Sequence, residues 1–435
     1  MLQTNSRTTP PRMSLSVLDA LRGLAALYVM LSHARWFLWA THKEYLESGQ
    51  HGFGTVLATL SASLDYSHHA VLLFFLLSGF CIHYRQATLL STANESLKKR
   101  KLLDIRSFAR RRIKRLYPAL LVALVLTAIL DYVGLQINPG FYAGQTAYQG
   151  LNTLARPDFS LPTVIGNLLM QGGLIVPPLG NNAPLWSLAW EFWFYVLYPV
   201  VLVLSTRLRT LGMLAVVGGA SVVAFAAGGF GVALPQWIVT VLTYWVVWGA
   251  GATIAEAYAG RIRLPGLRLL APLAVALGMG VAVVLALRHV NYLNGANVTF
   301  VDPGTDLLMS AAFAVVLAFI MLDLPLSLRH RVEAVARWLA PLGDMSYSLY
   351  IVHYPWLALM SAWWLWQNPR LPLGAELAIL GALTSFALGW CLWYFVERHC
   401  VSSKSAVRVQ KPVSVPPTPV LWEDVVPAPV TVSSR

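Results

Sequence analysis

Apolar runs of about 20 residues recur along most of this 435-residue chain, and they constrain the fold more than any other feature. A helix needs about 20 apolar residues to cross a hydrocarbon core of roughly 30 Å. Only 12% of the residues are charged, whereas soluble domains carry about 25%. The runs are continuous and do not alternate as the strands of a membrane β-barrel do. The sequence therefore predicts an all-α polytopic membrane protein.

Ten transmembrane helices are predicted, with both termini in the cytoplasm. No small-residue cleavage site follows the first run, so we interpret that run as a retained helix and not as a signal peptide. Residues 1–14 form a cytoplasmic N-terminal segment, 15–398 a ten-helix membrane domain, and 399–435 a proline-rich cytoplasmic tail that we expect to be disordered. The predicted spans are 15–38, 69–85, 115–133, 184–204, 211–227, 236–256, 268–287, 305–322, 345–365 and 374–395.

The charges of the loops orient these spans. Residues 85–115 contain eleven Lys or Arg residues and two acidic ones, whereas residues 134–183 contain one basic residue, Arg156. Because cytoplasmic loops are enriched in Lys and Arg, the first of these loops is predicted inside and the second outside. The outer segment is rich in Gly, Asn, Gln and aromatic residues. That composition suits either a surface for polar or carbohydrate material or an ordinary structured loop.

The first predicted span carries ionisable residues where a simple anchor would carry leucine. Arg22 and His33 are eleven residues apart, so they share one helix face about 16 Å apart along the axis. Asp19 can pair with Arg22 on that face. An ionisable side chain near the bilayer centre costs about 2.5–3.5 kcal/mol and usually marks a site or a pathway. Because histidine exchanges protons near neutral pH, His33 is the candidate general base. The alternative is a structural ion pair together with a histidine bonded to a neighbouring helix.

Further candidates lie where predicted spans meet the cytoplasm. In the second span, Ser78 belongs to a Ser-Gly pair that permits close helix contact. His83 and Arg85 stand near the end of that span, where they can extend to the membrane surface. At the start of the third span, Arg112 and Arg115 share a helix face, and paired guanidinium groups bind phosphate well. Attachment to anionic lipid is the competing interpretation of these two arginines.

Two later spans also contain ionisable residues. Glu191 lies about two turns into an aromatic-rich helix, so it needs a partner on another helix or a protonated carboxyl group. Structural pairing and catalytic assistance both stay open for this residue. In the ninth span, His353 follows Tyr347 by six residues. It is a candidate to line one cavity together with the other ionisable residues of the spans, although a packing histidine with satisfied hydrogen bonds is the favoured interpretation.

Five motifs occur in the order LDALRGLAALYVMLSHA, FFLLSGF, RRIKRLYPAL, PLWSLAWEFWFY and GDMSYSLYIVHYP. In this order they resemble the membrane-bound acyltransferase 3 family, and the resemblance extends over about residues 15–398. Its most specific element is an arginine followed, after ten intervening residues, by a histidine, here Arg22 and His33. An Arg-x-x-Arg pair also matches, at Arg112 and Arg115. The resemblance implies a multi-pass enzyme of the bacterial cytoplasmic (inner) membrane that O-acylates sugars with acyl-CoA, usually acetyl-CoA.

The resemblance and the residues together predict a division of roles. Acyl-CoA is a cosubstrate from the cytoplasm, the acceptor is a hydroxyl of a sugar or polysaccharide on the outer side, and His33 removes the proton of that hydroxyl. Arg22 guides the donor arm, and Glu191 orients His33 or the acceptor. The candidates are His33, Arg22 and Glu191 for catalysis, Arg85, Arg112 and Arg115 for the donor, and Asp19, Ser78, Tyr347 and His353 for support. We expect no bound cofactor, metal or nucleic acid, and a homo-oligomer stays open.

A proton-coupled transporter is the main alternative, with His33, Glu191 and His353 as relay groups. The cluster of cytoplasmic arginines and the absence of a recognisable internal repeat weigh against it. A scaffold without catalytic activity is a third class, but it leaves the ionisable residues of the spans without a role. The sequence contains neither a phosphate-binding glycine loop nor a Gly-x-Ser-x-Gly motif.

Overall fold

A computed structural model of the chain is almost entirely helical over the residues it describes. Those residues contain no β-strand, and isolated bridges join Asp158 to Leu179 and Gly180. Residues 401–435 of the predicted tail, most of the segment 1–14, and Arg156 lie outside the described residues. The described residues are 12–40, 44–45, 48–49, 53–92, 104–154, 157–293 and 302–400.

The helices are numbered in chain order. A 3-10 turn at Ala62–Leu64 precedes α3, and a π-helical turn at Trp393–Glu397 follows α14 and leads into the short helix Arg398–Cys400. The bounds are α1 Ser16–Leu38, α2 Phe53–Ser61, α3 Ser67–Thr92, α4 Ile105–Ile137, α5 Pro139–Tyr142, α6 Gln149–Leu154, α7 Leu161–Leu168, α8 Leu185–Arg207, α9 Arg209–Gly229, α10 Gln236–Tyr258, α11 Leu267–Leu293, α12 Pro303–Leu322, α13 Leu326–Gln367 and α14 Glu376–Leu392.

Nine helices in the described part of the chain are long and apolar enough to cross a membrane, and each overlaps a predicted span. They are α1, α3, α4, α8, α9, α10, α11, α12 and α14. The remaining predicted span, 345–365, lies within the 42-residue helix α13, which does not meet the same measure of hydropathy. Hydroxyl, histidine and aromatic side chains interrupt its apolar residues. The chain is thus an all-α polytopic membrane protein, and the orientation of its termini stays a prediction.

The described residues of the segment 134–183 form a structured loop built from α5, α6 and α7 and turns. Several of its polar side chains form hydrogen bonds within the loop. The Asn167 amide donates to the Pro177 carbonyl oxygen, and its oxygen accepts from the Leu179 N–H. Asp158 accepts hydrogen bonds from the Ser160 N–H and from the Thr163 hydroxyl. These bonds favour the charged carboxylate, so they lower the pKa of Asp158.

Helices α1 and α13 form the most extensive helix pair, and two glycines set their spacing. A methyl group on Gly23 would lie 2.5 Å from Cβ of Leu342, and one on Gly343 would lie 2.2 Å from the backbone oxygen of Asp19. Ten residues after each glycine stands a histidine, His33 on α1 and His353 on α13, and these two are in contact. The helices are therefore parallel and in register over about 15 Å.

A second close contact joins α3 to α10, as the Ser-Gly pair in the second span predicted. A methyl group on Gly79 would lie 2.0 Å from the Trp248 carbonyl oxygen, and one on Gly251 would lie 1.9 Å from that of Leu76. One turn beyond Gly79, His83 is fully buried and contacts Glu256 at 2.5 Å. The prediction that His83 extends to the membrane surface is therefore wrong, because this close packing directs it at α10.

We predict that Gly343→Ala destabilises the protein by about 1–3 kcal/mol, because the added methyl group overpacks the contact between α1 and α13. Thermal unfolding in detergent should show a lower midpoint than that of the wild type. Gly219→Ala is the matched control, since a methyl group there meets nothing within 4 Å. Alanine is the better helix former, so this control should be neutral or slightly stabilising. An unchanged midpoint for Gly343→Ala would show that the contact tolerates a wider separation.

Candidate active site

A cavity of about 120 Å³ lies among α1, α3, α4, α8 and α13. We call it the arginine cavity, because three guanidinium groups line it. It brings together residues that the sequence places far apart, and hydroxyl and aromatic side chains complete its walls. The predicted site residues that line it are Arg22, Ser78, Arg112, Arg115, Glu191 and Tyr347.

Arg22 and Asp19 form the ion pair that their spacing predicted, with 2.7 Å between Nη2 and Oδ1. The same Nη2 lies 3.9 Å from Sγ of Cys81, which also lines the arginine cavity. The pair fixes the Arg22 side chain on the cavity wall. Both contacts use Nη2, so Nη1 and Nε remain for another acceptor. Asp19 itself does not line the cavity and acts on it through Arg22.

Arg112 and Arg115 enter the cavity from the start of α4. The guanidinium group of Arg112 lies over the rings of Phe108 and Tyr195, at 5.7 and 5.8 Å from their centroids. Its Nε atom is buried without a hydrogen-bond partner in the structure. Among the described residues, neither arginine has a carboxylate within ion-pair distance. Both therefore keep donors for an anionic ligand.

Arg85 does not join this group, contrary to its predicted place beside Arg112 and Arg115. It is exposed one turn beyond Cys81 and Ile82, the last residues of α3 that line the cavity. Its charge acts instead on Arg111, which is also exposed. Arg112 and Arg115 of α4 therefore line the cavity, whereas Arg85 lies outside its wall.

Glu191 lies on the wall of the arginine cavity and does not contact His33. Its Oε1 accepts a hydrogen bond of 2.8 Å from the Ser78 hydroxyl and another from the Tyr195 hydroxyl. Of the two roles that the sequence suggested for Glu191, direct orientation of His33 is therefore wrong, and orientation of the acceptor stays a prediction. Both hydroxyl donors bind the same carboxylate oxygen, and the bond from Ser78 connects α3 to α8.

His33 and His353 form a second site, which we call the histidine pair. Nδ1 of His33 lies 2.8 Å from Nε2 of His353, and the two rings are nearly parallel. Nδ1 of His353 bonds to the Leu349 carbonyl oxygen at 3.1 Å. Since a carbonyl oxygen accepts, this Nδ1 carries the proton, and Nε2 of neutral His353 accepts from Nδ1–H of His33. His33 is then left with a lone pair on Nε2, which is the form of a general base.

The histidine pair does not line the arginine cavity. His353, which the sequence favoured as a packing residue, is fully buried but bonds directly to His33. The edge of the Tyr354 ring packs on His33 at 5.0 Å between centroids. Along α1, Arg22 and His33 are separated by about 16 Å, as their spacing requires. Helices α1 and α13 thus border the arginine cavity and also carry the histidine pair.

Sequence reasoning missed Glu397, which supports the cavity from the π-helical turn after α14. Its carboxylate is buried and accepts from both the N–H and the hydroxyl of Ser348, at 3.2 and 2.5 Å. Its charge also acts on Arg115. An acidic residue two positions beyond the last predicted span was a usable signal. A π-helical turn displaces side chains from the regular helical register, and such turns frequently occur at functional sites.

Comparisons with known proteins identify the family of the chain. The family model of the acyltransferase 3 type, described as an acyltransferase domain, matches residues 15–396. The chain is 28% identical over 194 residues to acyltransferase MdmB of Streptomyces mycarofaciens, which is 44% of this chain and 40% of that relative. The chain thus spans less than half the length of the curated relative it matches. No solved structure matches it significantly. Because the family model covers most of its length, the chain belongs to the acyltransferase 3 family.

Proposed function

We propose that this protein is an integral membrane O-acyltransferase of the bacterial cytoplasmic membrane. It moves an acyl group, acetyl in the simplest case, from cytoplasmic acyl-CoA to a hydroxyl of an extracytoplasmic or lipid-linked sugar. The observation that carries the proposal is the separation of the arginine cavity from the histidine pair along α1 and α13. A donor with charged phosphates at one end and a reactive thioester at the other matches two groups of different chemistry, Arg22 and His33, about 16 Å apart along α1.

The phosphates of the donor bind Arg112 and Arg115, whose guanidinium groups have no carboxylate of the described residues within ion-pair distance. Arg22 contacts the arm as it leaves the phosphates, because it lies in the cavity on the helix that also carries His33. Glu191 is a positioning residue in this scheme, since it holds the Ser78 and Tyr195 hydroxyls on the cavity wall. The slender pantetheine arm then extends between the helices toward His33.

His33 acts as the general base. Its Nε2 takes the proton of the acceptor hydroxyl as the oxygen attacks the thioester carbonyl. The carbon–sulfur bond then breaks, and the coenzyme A thiolate takes the proton back from His33. The products are the sugar ester and free coenzyme A, and His33 is neutral again. His353 holds the tautomer of His33, because its Nε2 accepts from Nδ1–H of that residue.

We predict that His33→Ala lowers kcat by about 10²–10⁴, the usual range for loss of a general base. The assay uses purified protein, labelled acetyl-CoA, and surface glycan of the source cells whose esters have been removed with mild alkali. His330→Ala is the matched control, because His330 is exposed on α13. Mass spectrometry of surface glycans from cells without the protein should show one ester lost. Normal turnover by His33→Ala would remove this residue from the mechanism, and ion-coupled flux without ester formation would favour a transporter.

His353→Ala should lower kcat about three- to tenfold and leave the KM for acetyl-CoA unchanged. The reason is that a hydrogen bond contributes about 0.5–1.5 kcal/mol, and this one orients the base without contacting the donor. Steady-state kinetics with varied acetyl-CoA separate the two constants. A raised KM with an unchanged kcat would show that His353 contributes to donor binding and not to the orientation of His33.

Replacement of both Arg112 and Arg115 by Gln should raise the KM for acetyl-CoA at least tenfold, since a hydrogen bond to a charged group contributes about 1.5–3 kcal/mol. The KM for the glycan should stay unchanged. The matched control replaces Arg110 and Lys114 by Gln, because both are exposed in the same segment and the loss of charge is equal. If donor affinity is unchanged, Arg112 and Arg115 are membrane anchors only, and an equal loss in both double variants would indicate general charge attraction in place of a specific site.

A further inference from the structure

A barrier of aromatic side chains separates the arginine cavity from the histidine pair. Tyr350 stands three residues after Tyr347 and three before His353, so it occupies the intermediate turn on one face of α13. It lines the arginine cavity on one side, and its ring centroid lies 5.9 Å from that of His353 on the other. Tyr350 therefore stands between the two sites.

Phe74 of α3 completes the barrier. It lines the same cavity, and its ring packs against that of Tyr350 at 5.9 Å between centroids and 64° between planes. On the face of α1 between Arg22 and His33, the intermediate residues Ala26, Val29 and Met30 are at most 1% exposed. The route from the cavity to His33 is therefore closed by packed side chains in this structure.

The two rings of the barrier are held differently. The Tyr350 hydroxyl lies 2.8 Å from the Ser187 hydroxyl and 3.3 Å from the Pro184 carbonyl oxygen, so polar contacts with α8 and its start fix this ring. The Phe74 ring has no polar group, and it is half-buried. Phe74 is thus the ring that can rotate without breaking a hydrogen bond.

We propose that Phe74 and Tyr350 form a gate that selects the acyl group by width, admitting straight chains to His33 and rejecting branched ones. The inference rests on the proposed function, because it assumes a thioester that passes from the arginine cavity to the histidine pair. The unbranched part of the pantetheine arm follows the acyl group through the gate and remains there during reaction. The gate must open by about 4 Å, the contact distance of carbon atoms. An opening of this width admits both the unbranched part of the arm and a straight acyl chain.

A branched acyl group differs because it carries an additional methyl group beside its chain. To pass, it must displace the Phe74 ring further, while Tyr350 is held in place by its hydroxyl contacts. One methylene group in a closely fitting apolar site changes kcat/KM about 10–200-fold. The gate therefore rejects the branched isomer although its main chain is shorter than that of the straight isomer, which a limit on chain length alone would not do.

The test compares butyryl-CoA with isobutyryl-CoA, which contain the same atoms and differ in branching at one carbon. Purified protein in lipid nanodiscs is assayed with the alkali-treated glycan described above. We expect the wild type to favour butyryl-CoA at least tenfold in kcat/KM. Phe74→Leu and, independently, Tyr350→Leu should bring this ratio below threefold by raising the isobutyryl rate relative to the butyryl rate. Phe313→Leu is the control, because Phe313 is also half-buried but lies on α12, outside the cavity, and the ratio should stay at the wild-type value.

Three results would overturn the gate while leaving the proposed function intact. The wild type could use both isomers within twofold, it could transfer acetyl but not butyryl groups, or it could keep its tenfold preference in whichever gate variant still transfers butyryl groups. The second result would mean that length and not width is selected. A wild type that transfers no acyl group from any acyl-CoA would instead overturn the proposed function itself.

Discussion

The contact between Gly23 and Gly343 sets the geometry on which both sites depend. Neither position has room for a methyl group, so the backbones of α1 and α13 approach more closely than side chains would permit. When two parallel helices are packed in contact at one position, their register is also fixed along the residues that follow. The fixed register brings His33 level with His353, ten residues further along each helix. A shift of one residue would rotate either ring by about 100° away from its partner.

Ionisable groups in the membrane are costly unless they are paired, and this chain pairs most of those it contains. Asp19 binds Arg22, Glu256 binds both His83 and Arg261, and hydroxyl groups bind Glu191. The exceptions are informative. In the described part of the protein, Arg112 and Arg115 have no carboxylate partner, and Nε2 of His33 has no hydrogen bond. The proposed reaction uses these groups: Arg112 and Arg115 bind phosphate, and Nε2 of His33 accepts a proton.

Contacts within one helix could be predicted from the sequence, and most contacts between helices could not. The bilayer requires a certain length and an apolar composition of each span, so these two properties identify the transmembrane helices in the sequence. The pairing of Asp19 with Arg22 follows from helical spacing alone. The bond between His33 and His353 joins residues 320 positions apart, and nothing local to either histidine indicates it. The same limit explains the wrong prediction for His83, because its burial depends on glycines of α3 and α10 that meet only in the folded chain.

The closed barrier between the two sites has a consequence for the membrane as well as for the reaction. A continuous polar channel from the arginine cavity to the histidine pair would lead water and protons toward the outer half of the bilayer. Exclusion of water from a reactive site also prevents hydrolysis of the thioester, which would compete with transfer to a sugar. Phe74 and Tyr350 close the route in this structure. If the pantetheine arm itself fills the opening, the route is sealed both before and during transfer, so the chain can pass an acyl group across the membrane without a standing pore.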